Sequence, residues 1–230
     1  MPVQVLLACL STALMWGWLR FAGTLALTWG GVMGIGEALK ARRADLLLPQ
    51  DFGSDNPLVL LSIDEAKTRF SAARHQTVKL DIPDLVRVVS LAFAQLTPEC
   101  FLWPYSGSTL RSRFRSVMKS LHLPIQATSL VRPLDLGSLR SGGATWILSV
   151  TEDGELVPRR GRWLTQRIME IYLQEASAIR FITALPPDQR DVVLTMAHAF
   201  LTLLIQCDLF VSAHIPSMTW YKLFSHFQCA

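Results

Sequence analysis

The sequence predicts a mostly α-helical chain with one small β-hairpin, an α+β class, and three observations carry that expectation. Apolar residues recur at helical spacing through most of the chain, and two short β-prone runs stand together between residues 58 and 82. Strands and helices do not alternate as a parallel sheet would require. At 230 residues a full core can be buried, so we expect one main unit, 1–180, and a C-terminal helical extension, 181–230, packed on it.

The elements follow in order. Residues 3–29 read as one or two buried helices, and GGVMGIG (30–36) breaks them before a short segment ending at Asp45. The uncharged runs 2–19 and 21–36 approach the length of a spanning helix, but they are rich in Trp, Gly and Thr, which favours burial in a core over a membrane. No basic residue precedes the first run, so it does not read as a secretory leader. LLLPQDFGSDNP (46–57) reads as a strand end followed by a turn, because Pro49, Gly53, Asn56 and Pro57 interrupt helix. LVLLSI (58–63) and HQTVKLDI (75–82) flank the basic KTRFSAAR and make a hairpin.

From Pro83 the spacing Leu85, Val88, Val89, Ala92, Phe93 is helical. A loop, LTPECFLWPYSGSTL, leads to a helix near Leu110 with Ser108 or Thr109 as its cap. Further helices are expected at 139–150, near 153–160, from about Thr165, and as one long piece at 188–211 before an irregular aromatic tail.

Composition excludes several classes of function. Cys9, Cys100, Cys207 and Cys229 form no CxxC pair and the five histidines no HExxH motif, so we expect no metal, no disulfide framework and a reducing compartment. GGVMGIG lacks the strict G-x-G-x-x-G spacing and a preceding strand, which argues against a nucleotide loop. The net charge is only +4, but its distribution is uneven: between Glu99 and Asp135 there is no acid, while Arg111, Arg113, Arg115, Lys119 and Arg132 fall inside that window. A second cluster holds Arg159, Arg160, Arg162 and Arg167. Clusters of this kind suit phosphate contact as well as a solvated helix face.

The stretch SLRSGGATWILSVTEDGELVPRRGRWLTQRIMEIY (138–172) carries the chemistry. Arg140 in the first turn of a helix would place a guanidinium near unbonded backbone N–H groups, which suits a phosphate oxygen. Gly142 and Gly143 permit close approach of a backbone or a ligand. Tyr172 shares a helical stripe with Ile168, as an ordinary core tyrosine also would.

Trp163 stands 23 positions after Arg140, and Tyr172 nine after Trp163. With Ser138-Leu139-Arg140 and Gly142-Gly143-Ala144-Thr145, these spacings resemble the second half of the catalytic domain of tyrosine recombinases of the phage-integrase type. That family has a His-x-x-Arg box, a His or Trp, and a nucleophilic Tyr at such intervals. Residues 31–46 are similar to its first box, with Glu37 and Asp45 in place, and Lys67 matches its lysine. The sequence departs from the pattern at Gly34, where the first box has arginine, and at Gly137, where the second has histidine.

The resemblance implies a helical recombinase catalytic domain, DNA recombination or integration, and double-stranded DNA as partner. Tyr172 would be the nucleophile, Arg140 and Trp163 phosphate ligands, and Lys67 the general acid; no metal or cofactor would be needed. Active relatives work as tetramers, which implies a homo-oligomer on DNA. The resemblance starts near residue 20, with no room before it for a core-binding module. Localisation would be nuclear in a eukaryote and cytoplasmic in a bacterium, without secretion. Arg111, Arg113, Arg115, Lys119, Arg159, Arg160 and Arg162 are expected to contact DNA. The alternatives are a catalytically dead DNA-binding or scaffold protein on the same fold, and a small membrane protein with helices at 2–38 and 192–211.

Overall fold

The computed structural model describes residues 1–53, 57–63, 76–127, 132–163 and 175–225. Its first two helices form the centre. α1 (Val3–Met15) and α2 (Leu19–Gly30) are two helices separated at Gly17, and almost every side chain in them is buried. A helix that is apolar on all faces needs neighbours on all faces. α1 has them in α2, α5 (Gly107–Ser120), α6 (Gly137–Thr151) and the C-terminal helices, while α2 packs against α4 (Pro83–Phe93) and α6.

The buried cluster runs from Met1 to Phe224, so the C-terminal helices share this core. Among the described residues no single helix is long and apolar enough to cross a membrane. After α8 (Glu175–Thr183), the pair that follows Pro186, α9 (Pro187–His198) and α10 (Phe200–Ser212), reaches that length only together, bent by 45°. Here the single helix expected at 188–211 is two helices, joined at Ala199. The tail is also more regular than expected, with a 3-10 turn at Ser217–Thr219 and α11 (Trp220–Ser225).

The small sheet has three antiparallel strands. β1 (Leu46–Leu47) pairs with β2 (Val59–Ile63), and β2 with β3 (Gln76–Leu80), with Leu46 opposite Leu61 and Leu61 opposite Val78. Val59, Leu61 and Ile63 are buried while Ser62 is exposed, the period-two alternation of a sheet with one face on a core. The basic turn expected between β2 and β3 lies outside the described residues. The loop after α4 is tied to the segment before β1 by backbone hydrogen bonds, Arg43 N–H to Cys100 (2.8 Å) and Leu102 N–H to Ala41 (2.9 Å).

α5 starts a turn earlier than expected, and its cap is Ser106 rather than Ser108 or Thr109; the Ser106 hydroxyl accepts the Thr109 N–H at 3.2 Å. α6 lies directly on α2 and on the first residue of the chain. A Cβ at Gly143 would sit 1.8 Å from the Trp29 carbonyl oxygen, and one at Gly142 would sit 2.1 Å from that of Met1. The two glycines therefore serve close approach of another backbone. The Met1 amine, buried there, donates to the Ser138 carbonyl (2.7 Å), and desolvation lowers its pKa to about 5.

Candidate functional site

Four segments meet at the start of α6. The chain leaves α2 through a turn in which Val32 holds φ 51° and buries its side chain against Ala144, Ile147 and Val157. Positive φ is strained for a β-branched residue and persists only where packing imposes it. This turn delivers Gly34 and the short helix α3 (Ile35–Ala38), whose Glu37 carboxylate accepts the Gly34 N–H at 2.8 Å.

From the other side comes α7 (Leu156–Gly161). Its first N–H groups are held by Asp153, whose carboxylate accepts from Glu155 (2.8 Å) and Leu156 (3.0 Å). Because the helix starts at Leu156, Pro158 falls in its first turn, where a missing N–H costs nothing. α7 ends on Arg162, which has left-handed backbone, φ 55° and ψ 41°. Glycine usually takes this closing position; a side chain there costs roughly 1–2 kcal/mol.

These pieces bring together five of the residues named from the sequence: Gly34, Glu37, Arg140, Arg162 and Trp163. Arg140 donates from Nη2 to the Gly161 carbonyl at 2.5 Å, and its guanidinium lies 5.3 Å from the Trp163 ring centre, within cation-π range. Arg162 Nη2 donates at 2.7 Å to Glu37 Oε2, the oxygen that also holds the Gly34 N–H. Gly34 faces the same cluster: a Cβ there would stand 3.5 Å from Arg140 Nη1 and 3.5 Å from Glu37 Oε2. The Arg162 guanidinium has its pKa lowered, by desolvation first and by nearby Arg140 as well, while Glu37 acts in the opposite direction.

Two side chains expected in the site, Tyr172 and Lys67, lie outside the described residues, as does Arg167. Gly137 is exposed at the first position of α6, where a Cβ would approach Asp135 Oδ1 at 3.2 Å. Asp45, the other first-box match, is not in the cluster; its carboxylate accepts the Arg42 N–H at 2.8 Å.

The basic residues divide. Arg111, Arg115 and Lys119, four positions apart on α5, are exposed, and so are Arg132 and Arg159. Arg113 instead lies among Trp18, Tyr105 and Trp103, at 4.9, 5.1 and 5.3 Å from the ring centres. Arg160 is turned onto β3, bonding the Lys79 carbonyl (3.0 Å) and Asp81 (2.6 Å). Arg42 and Arg43 are engaged elsewhere: Arg42 stacks 4.0 Å from the Phe101 ring centre, and Arg43 pairs with Asp51 at 2.8 Å.

Sequence reasoning counts Arg162 among surface cations and gives Glu37 no bond. The left-handed backbone of Arg162 and its partner 125 positions away leave no local signal. A cleft of about 530 Å³ is bounded by Glu37, Lys40, Arg42, Asp45, Ser62 and Phe101. Among the described residues no three His, Cys, Asp or Glu side chains gather as a metal site. The sequence matches no family model and no curated protein.

Proposed function

We propose that the chain is a DNA-acting domain of the tyrosine-recombinase type, with a site that grips one backbone phosphate and a cleavage step weakened by Gly34 and Gly137. One observation carries the reading. Gly34, Glu37, Arg140 and Trp163 are separated by up to 129 positions, stand out by spacing alone, and meet in a single cluster with Arg140 at its centre.

In this reading Arg140 and the indole of Trp163 bind non-bridging oxygens and stabilise the charge that develops on them. The Tyr172 hydroxyl gives up its proton to solvent as its oxygen attacks phosphorus, a 3′-phosphotyrosyl bond forms, the bond to the 5′ oxygen breaks, and Lys67 protonates the departing oxygen. Rejoining reverses these steps, so no outside energy source is required. Each missing donor at such a site costs about two to three decades in rate.

A second reading, DNA binding without cleavage, is favoured by Gly137, where the resemblance expects a histidine and no side chain exists. A nicked suicide duplex that traps the covalent adduct tests both. A DNA adduct on the full chain that disappears in Tyr172→Phe supports cleavage. Salt-sensitive duplex binding with no adduct after prolonged incubation leaves the binding-only reading, and absence of both overturns the proposal.

A further inference from the structure

Tyr105 is an exposed ring on a fixed mount. It stands 53% exposed between Trp103, which is buried and donates its indole N–H to the Ser106 carbonyl at 3.1 Å, and Ser106, the cap of α5. The Trp103 ring meets it at 5.3 Å in an edge-on arrangement, and the Arg113 guanidinium lies 5.1 Å from its centre. With Trp18 and Trp103 at 4.9 and 5.3 Å, that guanidinium has ring faces for neighbours and no acid paired with it. More than half of the Tyr105 surface is left uncovered by these contacts.

Single exposed aromatic side chains are ordinary. This one stands at the edge of a helix face of restricted chemistry: from Ser108 to Ser120, every exposed position of α5 is serine, arginine or lysine. No acid occurs between Glu99 and Asp135 to neutralise that face. Hydroxyls and cations are the side chains that hold phosphate oxygens. Arg111 and Arg113 lie about 160° apart around the helix, so they mark its two edges, with Ser108, Ser112 and Ser116 on the surface between them. A strand that crosses α5 from Arg111 and Arg115 therefore arrives at Arg113 and Tyr105.

A paired base cannot use this ring. In a duplex the base faces are covered by their neighbours, whereas an unpaired base offers its face to an aromatic side chain. A double helix would engage the cations and leave Tyr105 idle. A phosphate-holding face that ends on a rigidly held, exposed ring suits a single strand.

We infer that α5 and Tyr105 form a single-strand DNA site, in which the serines and cations of α5 hold the backbone and one unpaired base stacks on the Tyr105 ring. Arg113 has a positioning role: it fixes the ring and keeps positive charge beside the stacked base. The choice of DNA as the polymer rests on the DNA-acting reading above; the stacking of an unpaired base rests on Tyr105 and its surroundings.

The test uses the full chain and a fluorescein-labelled oligothymidylate of about 15 nucleotides, which neither folds nor pairs, against a duplex of the same length, both followed by anisotropy at one low salt concentration. Wild type should bind the single strand. Tyr105→Leu should weaken that binding about five- to a hundredfold, the loss expected when one base is deprived of its stacking partner, and should change duplex binding by no more than about twofold. Tyr105→Phe keeps the ring and should restore single-strand affinity to near wild type. Position 105 is exposed, so both variants should melt near wild type. As a second readout, ultraviolet crosslinking of an iodouracil-substituted strand should label Tyr105.

If Tyr105→Leu binds the single strand as wild type does, or loses duplex affinity in the same proportion, no unpaired base stacks on the ring and the inference fails; a covalent adduct on the nicked duplex would still leave the DNA-acting reading standing. An oligouridylate bound more tightly than the oligothymidylate would assign the face to RNA and overturn the inference as well. Wild type that binds neither single strand nor duplex and forms no adduct overturns both.

Discussion

The two basic clusters look alike as text and behave differently in space. α5 presents Arg111, Arg115 and Lys119 to solvent one turn apart, while α7 turns Arg160 and Arg162 inward onto Asp81 and Glu37. The difference follows from what each helix packs against. α5 is amphipathic: Leu110, Phe114, Val117 and Met118 bury one face, and its cations occupy the other. α7 is six residues long; Arg160 and, at its end, Arg162 reach acids on the segment after β3 and on the neighbouring α3, while Arg159 stays exposed. Charge density therefore marks a region, and the host helix decides whether the charge is available to a partner.

The strongest test of that contrast is binding. In the DNA-acting reading proposed above, removing Arg111, Arg115 and Lys119 together, as glutamines, should lower the salt slope of duplex binding by about 0.9 for each phosphate that is no longer neutralised. For three phosphates this means roughly two to three decades of affinity at low salt. Arg160→Gln should leave the slope unchanged. Anisotropy titrations across a salt series measure both, and equal slopes for the two variants would erase the distinction.

Stability should show the reverse order. Arg162→Ala removes the partner of a mostly buried carboxylate; because Glu37 keeps the Gly34 N–H, we expect a loss of about 2 kcal/mol, below the full cost of breaking a buried pair. Arg162→Gly should be milder by about 1 kcal/mol, because glycine relieves the left-handed backbone. Arg111→Ala and Arg159→Ala should stay within about 0.5 kcal/mol. Urea unfolding of the four variants gives the ranking, and an Arg162→Gly no better than Arg162→Ala would remove the strain from the account.

How far the sequence reveals this arrangement depends on the range of the interactions. Helical periodicity marks α4, which has one buried face, and long uncharged runs mark α1 and α2, which are buried on nearly all faces. The break at Ala199 is hidden, since 188–211 remains apolar across it and neither Gly nor Pro marks the join. Ser106 does not stand out as a cap because Gly107 directly after it reads as loop, whereas the structure begins α5 there. In the candidate site, spacing singles out Arg140 and Trp163, and the structure places the guanidinium 5.3 Å from the ring centre. The bond between Glu37 and Arg162 is not legible, because local pattern does not encode a pairing across 125 positions. The two glycines of α6 read as room for a backbone or a ligand, and the carbonyls of Trp29 and Met1 decide for backbone.

Acid titration provides the finest separation of the inward charges from the outward ones. Burial raises the Asp81 pKa, but the Arg160 guanidinium and then Lys79 outweigh it, leaving the carboxyl below its ordinary 3.8. A carboxylate depressed in the folded state stabilises the protein above its unfolded pKa, and that contribution disappears as pH falls through the folded value. The loss therefore begins below about pH 4. Asp81 is 40% exposed, so the share belonging to the Arg160 pair is roughly 0.5 kcal/mol. Asp51, held low in the same way by Arg43, adds a parallel slope that Arg160→Ala does not touch. Unfolding free energies of wild type and Arg160→Ala, measured from about pH 5 down to about 2.5, should therefore differ by about 1 kcal/mol at the top of the range and converge toward the bottom. The residual gap at low pH belongs to the Lys79 carbonyl bond, which does not titrate. Curves that stay parallel would show that Asp81 contributes nothing to holding Arg160 inward.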